Sequence, residues 1–324
     1  MQSNENNIIY GKKAFKRKYK KALMIIAAVM VIALCTYIVV QIYVTKTMTW
    51  DDVYDVLGLE TTGAVDGEVS VNILDVGQGD CTVIIAGGQV VMIDASERSA
   101  SDEILAFLDR NGIKRIDYLI ATHPHADHIG GMQAVVEHCE IGQVIFSAHP
   151  QDITPTINLY LNLLDALLER EIPVRTAKEG EKITLERGTL TVLSDGSAFD
   201  DLNDCSIILR YDYGLASFLF MGDSSTKVEK YIMNNGDNVD ADVLRAGHHG
   251  SGSSTGADFL SEVAPSYVVV SCGIDNSYGH PTKSFIDRVT FQGSRLLRTD
   301  LLGDISFVCE GAEPVYLEQH QEAA

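Results

Sequence analysis

Four metal-type ligands fall within six residues of this chain, in the run Thr122-His123-Pro124-His125-Ala126-Asp127-His128-Ile129-Gly130-Gly131. The apolar residues Tyr118-Leu119-Ile120-Ala121 lead into it as a strand. Alternate residues of an extended stretch project to one side, so His123 and His125 can serve one ion. Asp127 and His128, on the turn into the next helix, can point at a second. The glycine pair lets that helix begin close to the site. Two ions sharing a water generate a nucleophile near neutral pH and stabilise an oxyanion, which is the equipment of hydrolysis. No G-x-S-x-G elbow offers a serine alternative.

Other chemistry-bearing residues lie further along. His248 and His249 follow a second apolar strand, and Gly250-Ser251-Gly252-Ser253-Ser254 then lead to a helix. Free backbone N–H groups and the Ser251 hydroxyl in that loop could hold an anion. His280, between Gly279 and Pro281, is a candidate outer ligand or substrate contact, and Lys283 could steady a phosphate oxygen.

Seven segments occur in order: Leu74-Asp75-Val76-Gly77-Gln78-Gly79-Asp80, the His loop, Asn203-Asp204-Cys205-Ser206, Phe220-Met221-Gly222-Asp223, Gly247-His248-His249-Gly250-Ser251, Gly279-His280-Pro281 and Arg298-Thr299-Asp300. Together they resemble the metallo-β-lactamase domain of ComEC-type competence proteins over about residues 69–310. The resemblance implies an α/β fold, an αββα sandwich with two divalent metal ions at one end. On that pattern His123 and His125 bind the first ion, Asp127 and His128 the second, and Asp223 bridges them. One of His248 and His249 completes the second site; His249 is the favoured ligand and His248 the proton donor or phosphate contact. Asp94 matches a strand-end aspartate that orients a ligand histidine from behind, and Asp80 shapes the first turn. Many members supply a third histidine to the first ion. Here Asn203-Asp204 stand where it would fall, so that ion is oxygen-rich or completed by Asp204, which leaves Mn²⁺ open beside Zn²⁺.

These side chains need a scaffold, and the 324 residues, 46% hydrophobic with only 7 prolines, are enough to bury a full core. The pattern predicts strands at 69–75, 80–86, 89–94, 116–122 and 143–147, four more within 181–222, and others at 241–246, 267–272, 295–299, 303–309 and 313–317. Helices are expected at 101–110, 129–139, 156–170, 224–234, 257–263 and 282–290. Many strands with helices interspersed make one layered domain, 68–318, with a short tail at 319–324. Six cysteines without a C-x-x-C pair form no disulfide framework.

The N-terminus reads differently. From Ala22 to Val44 run 23 residues without a formal charge, long enough as a helix to cross the roughly 30 Å hydrocarbon core. Seven of the 25 Lys/Arg and one of the 45 Asp/Glu lie in residues 1–44, so the rest carries 18 bases against 44 acids, a net −26. Basic residues before the span put 1–21 in the cytoplasm and the catalytic part outside, joined by a stalk at 45–67. The expectation is a single-pass protein of a bacterial cell membrane. The acidic bulk argues against strong duplex nucleic-acid binding, which relies on Lys and Arg, but not against a metal-bearing phosphodiesterase. The expected substrate is a phosphodiester, either single-stranded DNA or a small or cell-surface ester. Alternatives are β-lactam or lactone hydrolysis, or a non-catalytic surface protein with a vestigial site.

Overall fold

A computed structural model describes Tyr37, residues 69–150, Ile153, residues 157–311 and residues 314–317. The expected span at 22–44 lies outside the described residues except for Tyr37, which is helical. Among the described residues no helix is long and apolar enough to cross a membrane.

Residues of the central strands are apolar at consecutive positions because both faces of those strands are covered. In β2 (Thr82–Ala86) and β3 (Gln89–Ile93), Val83, Ile85, Val90 and Met92 face a helical layer. Their neighbours Ile84, Ala86, Val91 and Ile93 face a second sheet, as the two-residue period requires. With β1 (Val69–Ile73), β4 (Arg115–Ala121), β5 (Glu140–Phe146), β6 (Val174–Thr176), β14 (Ile305–Cys309) and β15 (Val315–Leu317), they form an eight-stranded sheet ordered β15-β14-β1-β2-β3-β4-β5-β6.

The second sheet has seven strands in the order β13-β12-β11-β10-β9-β8-β7. These are β7 (Lys182–Thr184), β8 (Thr189–Ser194), β9 (Ile208–Tyr213), β10 (Ala216–Phe220), β11 (Val243–Arg245), β12 (Tyr267–Val270) and β13 (Arg295–Arg298). Between the sheets Phe218, Phe220, Tyr211 and Phe307 are buried. Helices 101–110, 132–138 and 158–169 pack outside the first sheet. Helices 226–235, 257–263 and 283–292 pack outside the second. The layers run α-β-β-α, as expected for the domain.

Several elements differ from the sequence reading. The helix expected at 129–139 is two pieces, Ala126–Ile129 and Met132–His138. It breaks because the Gly131 N–H donates to the carbonyls of Ala95 and Ser96, 3.1 Å from each, instead of back along a helix. A side chain there would collide with the Ala95 carbonyl. β6 escaped notice because its residues Val174-Arg175-Thr176 are half-buried or exposed at a sheet edge and show no apolar run. The four-residue helix Thr299–Leu302 is too short to carry a periodic signal.

Strands β3, β4 and β5 run parallel, as do β10, β11, β12 and β13. The carboxyl ends of β3 and β4 in one sheet therefore meet those of β10, β11 and β12 in the other. Asp94, the His loop, Asp223, His248-His249 and Ser271 all leave the sheets at that end, where open α/β structures place their ligands.

Candidate metal centre

The site begins with Asp94, the residue after β3. Its carboxylate accepts the Thr122 N–H at 2.8 Å and the Thr122 hydroxyl at 2.6 Å, which fixes the start of the His loop. Its Oδ2 also lies 2.7 Å from His128 Nδ1. That contact commits Nδ1 and turns Nε2 toward Asp223, whose Oδ1 is 3.3 Å away. His249 Nε2 is 3.5 Å from Asp223 Oδ1 and 3.5 Å from Asp127 Oδ2. On its other edge His249 Nδ1 is held by the Ser271 carbonyl at 2.9 Å.

Three of these facing atoms, His128 Nε2, Asp223 Oδ1 and His249 Nε2, are buried with no hydrogen-bond partner. Leaving such groups unsatisfied is costly. Nitrogens about 2.0–2.1 Å from a tetrahedral zinc stand about 3.3 Å apart, so the observed spacings are those of ligand edges around one ion. The donor set of two imidazoles and two carboxylates fits a divalent cation.

A second pair faces the same space. His123 Nε2 and His125 Nδ1 are 3.0 Å apart, and the His123 and His128 rings are 4.1 Å apart between centres. His123 Nδ1 is backed by the hydroxyls of Thr122 and Ser206, at 3.2 and 3.3 Å. Ser206 also accepts the Asp223 N–H at 3.0 Å, tying the two strand ends together.

The electrostatics suit cation capture. Burial pushes His123 well below its ordinary pKa, with His128 adding to the effect, so it is neutral and free to ligate. Burial alone would raise Asp127, but the neighbouring imidazole of His249 and the charge of His128 together outweigh that and hold it at about 2. Burial would likewise lower His128; Asp223 and Asp94 overcome it and hold it well above the usual value. Without metal His128 is therefore a cation between carboxylates, and an incoming ion takes the place of its proton.

Backbone strain gathers here. Asp94, His248 and His249 have φ of 59°, 48° and 52°, a region non-glycine residues seldom occupy. The turn at Gly247–Gly250 is held by the His248 N–H on the Gly222 carbonyl at 3.0 Å.

The structure brings His123, His125, Asp127, His128, Asp223 and His249 together as expected, with His248 Nε2 3.7 Å from Asp223 Oδ2 and its side chain 29% exposed. Asn203 and His280 line the same cavity of about 350 Å³; Asn203 Oδ1 and His280 Nδ1 are buried without partners. Other expected contacts lie elsewhere. Asp204 accepts the Ser225 N–H at 2.9 Å and lies 3.5 Å from the Lys227 ammonium, so Asn203 is the member of its pair that faces the cavity. The Ser251 hydroxyl is taken by Ser253 at 2.9 Å, and the Ser251 and Ser254 N–H groups bond within their own turn. Lys283 pairs with Asp287 in the next helical turn at 2.6 Å and points to solvent.

Asp80 was expected to support the site, and it does so through a partner the sequence reading missed. Ligand-type atoms of Asp80 lie within 4.8 Å of those of His128, Asp223 and His249. Asp80 Oδ2, however, is 3.7 Å from His128 Nδ1, the nitrogen already committed to Asp94, and Oδ1 is bound by buried Arg245. Asp80 thus stands behind the ligand. Burial lowers Arg245 to about 9, which leaves it charged at neutral pH, and it also donates to the Gly222 carbonyl at 2.7 Å. A lone cation ending the apolar strand Val243-Leu244-Arg245 was the available signal. Gly79 completes this corner: a Cβ there would stand 2.6 Å from the Asp127 carbonyl.

Comparison with known proteins agrees with this geometry. "ComE operon protein 3" of Bacillus subtilis is 29% identical over 266 residues, covering 75% of this chain and 33% of that protein. "Competence protein ComA" of Neisseria gonorrhoeae is 32% identical over 244 residues, covering 75% of this chain and 32% of that protein. The chain thus spans about a third of the length of these relatives. Among solved structures, the metallo-beta-lactamase fold protein YhfI from Bacillus subtilis superposes with a TM-score of 0.50 at 12% identity, over 74% of this chain and all of that one. CmlA, a diiron beta-hydroxylase from Streptomyces venezuelae, gives 0.50 at 15% identity, over 80% and 59%; both show the fold alone. The description "Metallo-beta-lactamase superfamily" matches residues 74–274, and with the fold and the ligand geometry it establishes that this chain belongs to the metallo-beta-lactamase superfamily.

Proposed function

We propose that this chain is a binuclear metal-dependent phosphodiesterase displayed on the outside of a bacterial membrane by the segment at 22–44. The observation that carries the catalytic part is the set of buried, unpartnered atoms converging on Asp223 Oδ1. His128, His249, Asp127 and Asp223 would hold one ion. His123 and His125, with Asp223 and the carbonyl oxygen of Asn203, would hold the other. Each set offers two imidazole nitrogens and two oxygens, a mixed donor set that keeps Mn²⁺ open beside Zn²⁺.

Bound divalent ions supply Lewis acidity toward phosphoryl oxygens and acidify water at the site. The protein's own residues do the rest. Asp127, held ionised, and His249, pinned by Ser271, are preorganised. His248 sits at the cavity wall with its side chain partly exposed, where it can give a proton to a departing alkoxide. The likeness to a protein named for competence favours a nucleic-acid ester over a lactam.

The test is turnover of bis(p-nitrophenyl) phosphate by the full chain with Zn²⁺ or Mn²⁺ titrated in, beside Asp127→Ala and His128→Ala, with a chromogenic cephalosporin in parallel. Metal-dependent phosphodiester turnover, lost in both variants, supports the reading. Cephalosporin turnover without phosphodiester turnover overturns it.

A further inference from the structure

The cavity has an aromatic wall that the metal chemistry does not require. His248 lies beside Asp223, and its ring is 5.6 Å from that of His280 at 78°, edge to face. The His280 ring in turn is 5.9 Å from that of Tyr278, nearly parallel at 26°. A series of rings thus leads from Asp223 to the cavity mouth, where Tyr278 lines the opening and is 69% exposed. An exposed aromatic of this size needs a reason when its loop is otherwise well tied.

The loop is tied at both ends. Asn276 Nδ2 donates to the carbonyls of Gly273 and His280 at 2.9 and 2.6 Å, and the His280 N–H returns to Asn276 Oδ1 at 3.0 Å. The Gly273 N–H is held by Gln78 Oε1 at 3.1 Å, anchoring the loop to the first turn of the site. Tyr278 is therefore presented on a fixed frame, so a ligand that covers it forfeits little ordering entropy.

We propose that Tyr278 is the substrate-recognition residue of this site, stacking on a nucleobase next to the phosphodiester bound at the metal centre around Asp223, so that the substrate is single-stranded nucleic acid. This rests on the phosphodiesterase reading above. An open, single aromatic face suits a flat base; a quaternary ammonium is bound by several rings that enclose it. Neither lysine nor arginine lines the cavity, and the chain outside its first 44 residues is strongly acidic. Affinity for a polyanion must then come from something other than basic side chains, and base stacking supplies it without regard to sequence. Duplex DNA, with its bases stacked inside, offers nothing to Tyr278.

The experiment compares a thymidine oligonucleotide with the same backbone carrying abasic residues, using the full chain loaded with the ion that supports bis(p-nitrophenyl) phosphate turnover. The expected result is a KM lower by about tenfold for the base-bearing strand, a difference removed in Tyr278→Ala and kept in Tyr278→Phe, with kcat little changed. Equal KM values for the two strands in the wild type, or a preference that survives in Tyr278→Ala, would overturn the proposal while leaving the phosphodiesterase reading intact. Hydrolysis of p-nitrophenylphosphorylcholine that depends on Tyr278, without an effect on the oligonucleotide, would overturn it in favour of a choline ester. Absence of any phosphodiester turnover removes both.

Discussion

His128 is gripped on one edge by Asp94, 2.7 Å from Nδ1, and presents Nε2 to Asp223 3.3 Å away with no other partner. A single imidazole thus links the strand ends of both sheets, and its orientation is decided behind the site.

Asp94→Asn tests that support directly. Asparagine tolerates the left-handed backbone at this position and can still face Thr122, but it no longer carries the charge that fixes the His128 tautomer. Metal affinity is expected to fall 10–100-fold, read by competition with a chelator, while the far-UV dichroism stays unchanged. Unaltered affinity would mean that His128 is oriented by other means.

Arg245 and Asp80 form a buried ion pair beneath the ligands, each less than a tenth exposed. Arg245→Ala leaves the Asp80 charge unpaired and also removes one of the two donors to the Gly222 carbonyl, leaving the His248 N–H. The metal-free chain is expected to lose about 3–5 kcal/mol in denaturant unfolding. The double variant Asp80→Asn, Arg245→Met should recover most of it. A loss under about 1 kcal/mol for Arg245→Ala would contradict a structural role for the pair.

Glu229 gives the pH dependence. Its buried carboxyl faces the N–H groups of Thr255 and Gly256, 2.5 and 2.9 Å away, at the start of helix 257–263. Desolvation raises its pKa to about 7 in spite of those bonds. The folded state therefore holds this proton more tightly than the unfolded chain, so the group's contribution to stability is full below about pH 4.5 and declines as pH rises to about 7. A shift of this size corresponds to roughly 3 kcal/mol. The wild type should lose stability relative to Glu229→Gln between pH 5 and 7.5. Parallel stability curves for the two proteins would show that Glu229 titrates normally.

Much of this was legible in the sequence because the signals are local. Helices 101–110 and 257–263 fall where apolar spacing put them, and the His loop, Asp223 and His249 converge as their strand-end positions implied. What the sequence hid is relational. Nothing in Asn203-Asp204 says which side chain turns inward; Ser225 and Lys227, over 20 residues on, claim Asp204. Lys283 looks free until its helix sets Asp287 one turn away. The pairing of Asp80 with Arg245 spans 165 residues and both sheets, and Tyr278 reads as an ordinary loop residue until His280 and His248 line up beneath it.

Elemental analysis of the full chain after equilibration with Zn²⁺ and dialysis tests the central claim most directly. The geometry predicts about two ions per wild-type chain, a reduction of about one in His249→Ala, and no change in Lys283→Ala, whose ammonium points away from the site. A wild-type chain that retains no ion, or a His249→Ala chain that retains as many as the wild type, would contradict a metal centre built on His128, His249, Asp127 and Asp223.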